Sequence, residues 1–195
     1  MRKTSVNPKM KRKIVWSNLA DTGLEHLYLS CGENEIFADA VVLGVKEDIA
    51  YRIRYQVRCD SKWRVRKVVV KSLDENEQTI DLTSDGAGNW TNESGTIISE
   101  FEGCLDVDIS ATPFTNTLPI RRLNLNRGES AEIKVVYIAA PEMQSSVEHQ
   151  RYTCVERNEA GAKYKFESLE GEFMAIIAVD ADGLVKDYPN LFKRV

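Results

Sequence analysis

The chain has 195 residues, of which 43% are hydrophobic and 29% charged, and a net charge of −4. That length supports one domain with a sizeable core. The acidic balance excludes a nucleic-acid binder by composition. Its longest apolar runs, Val135–Pro141 and Phe173–Val179, fall far short of the roughly 20 residues of a spanning helix.

Met1–Lys13 holds Arg2, Lys3, Lys9, Lys11, Arg12 and Lys13 and no acid. With almost nothing apolar to bury, it reads as a disordered basic tail suited to an acidic partner or surface, leaving 14–195 as a single domain. No apolar h-region follows the basic residues, so an export signal is not expected and the protein is placed in the cytoplasm. Cys31, Cys59, Cys104 and Cys154 are dispersed without metal-ligand spacing. They read as small buried hydrophobes, and neither a metal nor a cofactor is expected.

From Ile14 onward strand patterns dominate. Ile14–Ala20 and Leu24–Cys31 flank an Asp21-Thr22-Gly23 turn, and Glu35–Val45 follows as a third β run. In Tyr51–Cys59 the odd positions are apolar or aromatic and the even ones polar, as a strand with one buried face requires. A turn at Cys59–Lys62 leads to its expected hairpin partner, Trp63–Val70. Paired, the two would gather Arg52, Arg54, Arg58, Arg64 and Arg66 on one face. That face is either solvent-exposed or an arginine ladder lining a cleft, with water or Asp106 and Asp108 as counter-charges.

Leu73–Asn76 reads as a turn and Thr79–Leu82 as a strand. Ser84–Trp90 is glycine-rich, without the lysine of a phosphate-binding loop, and is expected to use its glycines at positive φ. Leu105–Ile109 alternates again, with Asp106 and Asp108 on one face. Ser110–Thr117 supplies hydroxyls, an amide and Pro113. Leu118–Leu123 reads as a short helix capped by Thr117, with Pro119 tolerable in its first turn. Two acids on a strand and two bases on a helix are read either as ion pairs or as one wall of a polar site. Ile133–Ala139, Val147–Cys154 and Lys163–Leu169 read as further strands. Phe173–Val179 reads as a strand buried on both faces, or central, and Tyr188–Arg194 as a docked turn or short helix. The expected fold is mainly β: a single strongly curved antiparallel sheet, barrel or half-barrel, with one or two short helices.

CDSKW at Cys59–Trp63, DVDISATPFTNTLPIRRL at Asp106–Leu123, VVYI at Val135–Ile138, QRYT at Gln150–Thr153 and DGLVKDYPNLF at Asp182–Phe192 resemble the putative glycolipid-binding family of bacterial cytoplasmic proteins. The resemblance runs from about Trp16 to the C-terminus. Family members look like periplasmic lipoprotein carriers and mycobacterial lipid-binding lipoproteins, which implies a curved antiparallel sheet over a cavity and the binding of a glycolipid or other amphipathic molecule. The chain departs from those exported carriers in lacking a signal peptide and a lipidation cysteine near its start.

Three functions follow. In a binding module, Tyr55, Trp63, Tyr137, Tyr152 and Tyr164 would give apolar area with polar tips. Arg58, Arg64, Arg121 and Arg122 would hold an anionic head group, while Asp106, Asp108, Thr115, Asn116 and Gln150 would take hydroxyls. In an enzyme acting on a sugar or lipid-like substrate, Asp106 and Asp108, with side chains roughly 6–7 Å apart on one strand face, would form a carboxylate pair. In an interaction protein without a ligand, a free sheet edge would form a homodimer.

Overall fold

The computed structural model describes residues 10–75 and 77–195. In chain order the strands are β1 Met10–Asn18, β2 Thr22–Cys31, β3 Glu35–Lys46, β4 Ile49–Asp60, β5 Val65–Ser72, β6 Thr79–Ser84 and β7 Trp90–Asn92. They continue with β8 Asp106–Ile109, β9 Ser130–Ala139, β10 Gln144–Asn158, β11 Gly161–Ser168, β12 Met174–Asp180, β13 Val185–Tyr188 and β14 Phe192–Arg194. All fourteen join one curved sheet in the order β7-β6-β5-β4-β3-β2-β1-β14-β13-β12-β11-β10-β9-β8. The sheet is not closed, so the architecture is a half-barrel. The single helix α1, Thr117–Leu123, is entered through a 3-10 turn at Phe114–Asn116.

Alternation builds the sheet as expected. Along β4, Tyr51, Ile53, Tyr55, Val57 and Cys59 are buried while Arg52, Arg54 and Arg58 are exposed. Two buried clusters form the core. The first holds Trp16, Leu27, Tyr55, Trp90, Phe114 and Leu118; the second holds Ile120, Tyr152, Phe166, Ile177 and Tyr188. Helix α1 therefore contributes Leu118 to one and Ile120 to the other, which fits residues two apart on a helix pointing to different sides. Along β8 and β9, Val107, Ile109, Val136 and Ile138 join the first cluster from the face opposite Asp106, Asp108 and Val135.

Several expectations are corrected. β1 begins at Met10, so Met10–Lys13 belong to the sheet, and Arg12 pairs with Asp182 at 2.7 Å. The rest of the expected tail, residues 1–9, lies outside the described residues, as does Asn76 of the expected turn. β8 runs parallel to β9 within an otherwise antiparallel sheet. A parallel return needs a crossover, and the 3-10 turn and α1 supply it. The sheet edge β8 is short, and the Ile109 N–H is satisfied by the Thr115 hydroxyl. Tyr188–Arg194 forms parts of two strands, β13 and β14, rather than a helix. β12 is central, paired with β11 and β13 as one reading expects, but it is buried on one face: Ile177 and Val179 are covered, while Met174 and Ile176 are exposed. Thr117 lies within the helix rather than capping it, and its hydroxyl is buried without a partner.

The arginine-rich hairpin shows its charges to solvent. Arg54 makes a two-point contact with Asp39 at 2.8 and 2.7 Å, Arg58 meets Glu35 at 2.9 Å, and Arg64 meets Asp60 at 2.8 Å. Neighbouring strands and the hairpin turn thus provide the counter-charges, not Asp106 or Asp108. Trp63 sits just before β5 with φ +64, a conformation costly for a bulky residue. The Asp60 carboxylate holds this turn by accepting the N–H groups of Lys62 and Arg64.

Candidate functional site

β8 aims two carboxylates into the concave side, and their surroundings separate them. Asp106 is fully buried. Its partner is Arg122 on α1, whose Nε donates at 3.1 Å and whose Nη2 closes the pair at 2.5 Å. Burial pushes the Asp106 carboxyl up, and the guanidinium pulls against that shift. Removing a charge from water is expensive, so this two-point pair holds only because both partners are present.

Asp108 lies two residues on and is partly exposed. It has no cation. Thr115 donates its hydroxyl to Oδ1 at 2.9 Å and Gln150 donates Nε2 to Oδ2 at 2.6 Å. Burial again pushes the carboxyl up, opposed only by these two neutral donors. β9 lies between β8 and β10, and pairing puts Asp108 and Gln150 on one face, but the ladder sets Asp108 beside Tyr137 and Gln150 beside Ile133, so Gln150 reaches Asp108 diagonally.

Asp108 borders an open cleft of about 330 Å³. One wall is polar, with Asp108, Asn116, Tyr137, Glu148 and Gln150; the other is aromatic, with Phe166, Phe173, Tyr188 and Phe192. The aromatic wall is an edge-to-face stack, with Phe166 to Tyr188 and Tyr188 to Phe192 centroids at 6.3 and 6.2 Å. Asn116 is fixed from behind, its Oδ1 accepting the buried Tyr152 hydroxyl at 2.8 Å. The Glu148 carboxyl is also pushed up, first by burial and then by the charges of Asp108 and Glu170.

Behind the cleft lies a buried polar group that the sequence reading passed over. Glu25 is 2% exposed on the concave face of β2. Its Oε1 accepts the Tyr55 hydroxyl, which sits 3.2 Å from Thr112 Oγ1, and Thr112 in turn borders the cleft. Glu25 Oε2 has no partner. Burial pushes this carboxyl up to about 7, against the pull of Tyr55 and Thr112.

The expected site residues therefore divide. Asp108, Asn116, Tyr137 and Gln150 line the cleft. Thr115 and Tyr152 hold that lining in place, and Tyr55 stands one contact behind it through Thr112. Arg122 locks Asp106. Trp63, Arg121 and Tyr164 lie away from it. The Arg121 guanidinium rests over the Trp63 ring at 5.2 Å, and Arg121 shares a small polar hollow with Tyr164. There Gly183, at φ +78, is required, since a Cβ would stand 2.8 Å from the Arg121 stem. Arg58 and Arg64 point outward, so neither contributes to the cleft. Sequence reasoning missed Thr112, Glu148, Phe166, Phe173, Tyr188 and Phe192. Glu148 shares the parity of Gln150 and Tyr152 along β10, and Tyr188 and Phe192 stand inside the DGLVKDYPNLF motif, so both signals were present.

Among the described residues, no helix is long and apolar enough to cross a membrane. No curved-sheet relative emerged among curated proteins, none of which matches this chain. Among solved structures, the chain is similar to a DUF1089 family protein from Pseudomonas aeruginosa, with 36% identity and a TM-score of 0.79 over 88% of this chain and 92% of that one. Residues 13–194 match the profile of a family described as putative glycolipid-binding. With a match of that extent, the chain belongs to the putative glycolipid-binding family.

Proposed function

We propose that the cleft beside Asp108 binds the head of a glycolipid or a comparable amphipathic molecule. The observation that carries this reading is the opposition of two walls. Phe166, Phe173, Tyr188 and Phe192 offer ring faces and edges to the apolar side of a sugar, while Asp108, Asn116 and Gln150 offer donors and acceptors to its hydroxyls. The family description supports the same ligand class. The four cysteines are free thiols, which supports a reducing, cytoplasmic setting. Acid–base catalysis by Asp106 and Asp108 together has less support, because Asp106 is committed to Arg122.

The test is retention. The purified protein is incubated with a bacterial lipid extract, washed, and the bound fraction identified by mass spectrometry. The wild type should retain a sugar-bearing lipid, and Gln150→Leu with Phe173→Ala should release it. Retention of nothing, or equal retention by the double variant, would overturn the assignment.

A further inference from the structure

Resting on that reading, we infer that the cleft selects a head group without negative charge, and favours most a sugar bearing a protonated amine. The argument is a census of charge around the cleft. Asp108 enters from β8 and Glu148 from β10. Glu170, the other acid acting on Glu148, is held by His149. Among the described residues, no lysine or arginine lines the cleft. The nearby bases are engaged elsewhere: Lys46, on the Tyr137 side, pairs with Glu142, and Arg122 pairs with Asp106. Arg12 and Arg194 are taken by Asp180 and Asp182, and Arg121 lies over Trp63.

A phosphate or uronate head would thus meet two carboxyls with no counter-charge, between apolar walls that weaken solvent screening. A neutral hydroxyl can donate to either acid. An ammonium can donate to both and serve as the cation that neither has among the described residues. Burial already pushes both carboxyls up, the direction expected of negative charge left uncompensated. The arginines that a sequence reading assigns to an anionic head group are outside the cleft, so that assignment reverses in sign.

The test compares three probes with the same octyl chain: the β-glycoside of glucosamine, the β-glycoside of glucose, and octyl phosphate. Each is titrated calorimetrically at pH 7 below its micelle concentration. The expected order is amine, then neutral sugar, then phosphate, with the amine roughly tenfold or more tighter than the phosphate. Asp108→Asn with Glu148→Gln should bring the amine and phosphate affinities together. Glu148→Gln alone, at a partly exposed position, should narrow the gap if the double variant fails to fold. Phosphate binding as tight as the amine would overturn the charge selection while leaving the cleft as a binding site. An amine preference unchanged by either variant would remove Asp108 and Glu148 as its source. Binding of none of the three would overturn the cleft reading itself.

Discussion

The two halves of the sheet curl around the same short helix, yet they are filled differently. From β1 to β7 the concave face carries Trp16, Leu27, Ile53, Tyr55, Val68 and Val70, each at most 1% exposed. Among the described residues of β1–β7, Glu25 is the one charged residue that is buried. From β8 to β14 the concave face carries Asp106, Asp108, Tyr137, Glu148, Gln150 and Tyr152, and the cleft opens there. Both halves hold packed apolar side chains, but in the second a cleft lined by carboxyls and aromatic rings lies beside the packed cluster of Tyr152, Phe166, Ile177 and Val179. Close packing is the rule for apolar interiors, and the cleft departs from it where Asp108, Glu148 and Gln150 meet the aromatic rings.

The sharpest way to break this contrast is at Asp106. Asp106→Ala would strand the Arg122 guanidinium and cost about 3–5 kcal/mol of stability, read from the urea midpoint. Asp108→Ala removes an acceptor from two neutral donors beside an open cleft and should cost only about 1 kcal/mol. Equal losses would mean that the two carboxylates share one environment. In the packed half, Leu27→Ala should cost about 2–5 kcal/mol by leaving a cavity. Phe173→Ala, at the cleft rim with 43% exposure, should cost under about 1 kcal/mol. A reversal of that order would place the solid core in the other half.

Glu25 sharpens the comparison through pH. Its folded pKa of about 7 exceeds the ordinary 4.5, so between those values the folded state holds a proton that the unfolded state has lost. Its contribution is therefore present in full below pH 4.5, falls as pH rises through 7, and then stays constant. The loss across that window is about 3 kcal/mol by linkage. Glu25→Gln should flatten this part of the stability profile, measured by chemical denaturation from pH 4.5 to 8.5. An unchanged slope would show that another group carries it. The smallest effect belongs to the convex side, where Arg54→Ala should shift stability by about 0.2–1 kcal/mol despite its two-point contact with Asp39. A loss above 2 kcal/mol would show that the outer ion pairs belong to the structural core after all.

Much of the packed half was legible because each strand there states its own buried face. Tyr51–Cys59 names every inward residue by alternation alone, and the same parity puts Glu25 in line with Leu27 and Leu29, although a lone acid in LEHLYLS is easily read as surface. The parallel partner of β8 was not legible, because register between distant strands is not written in either one. β7, β13 and β14, at three or four residues, are too short to show a period. In the candidate site, the alternation of Leu105–Ile109 put both aspartates on one face, as in the structure. It did not say which would receive the arginine. Nor could it show that Arg58 and Arg64 face solvent, since a face is inward only relative to what the rest of the chain places over it.

The pairing of β1 with β14 carries a consequence for how this protein comes into being. The centre of the sheet is the seam where early and late segments meet, fastened by the Trp16 indole on the Val185 carbonyl and by the Val195 amide on the Val15 carbonyl. During translation β1 can pair with β2 at once, but its other edge stays bare until β14, the last of these strands, leaves the ribosome. From the emergence of β1 until that of β14, then, an unpaired edge flanked by Trp16 is offered to any passing chain. Chaperone dependence should therefore track the delay before that final strand arrives rather than the stability of the finished molecule.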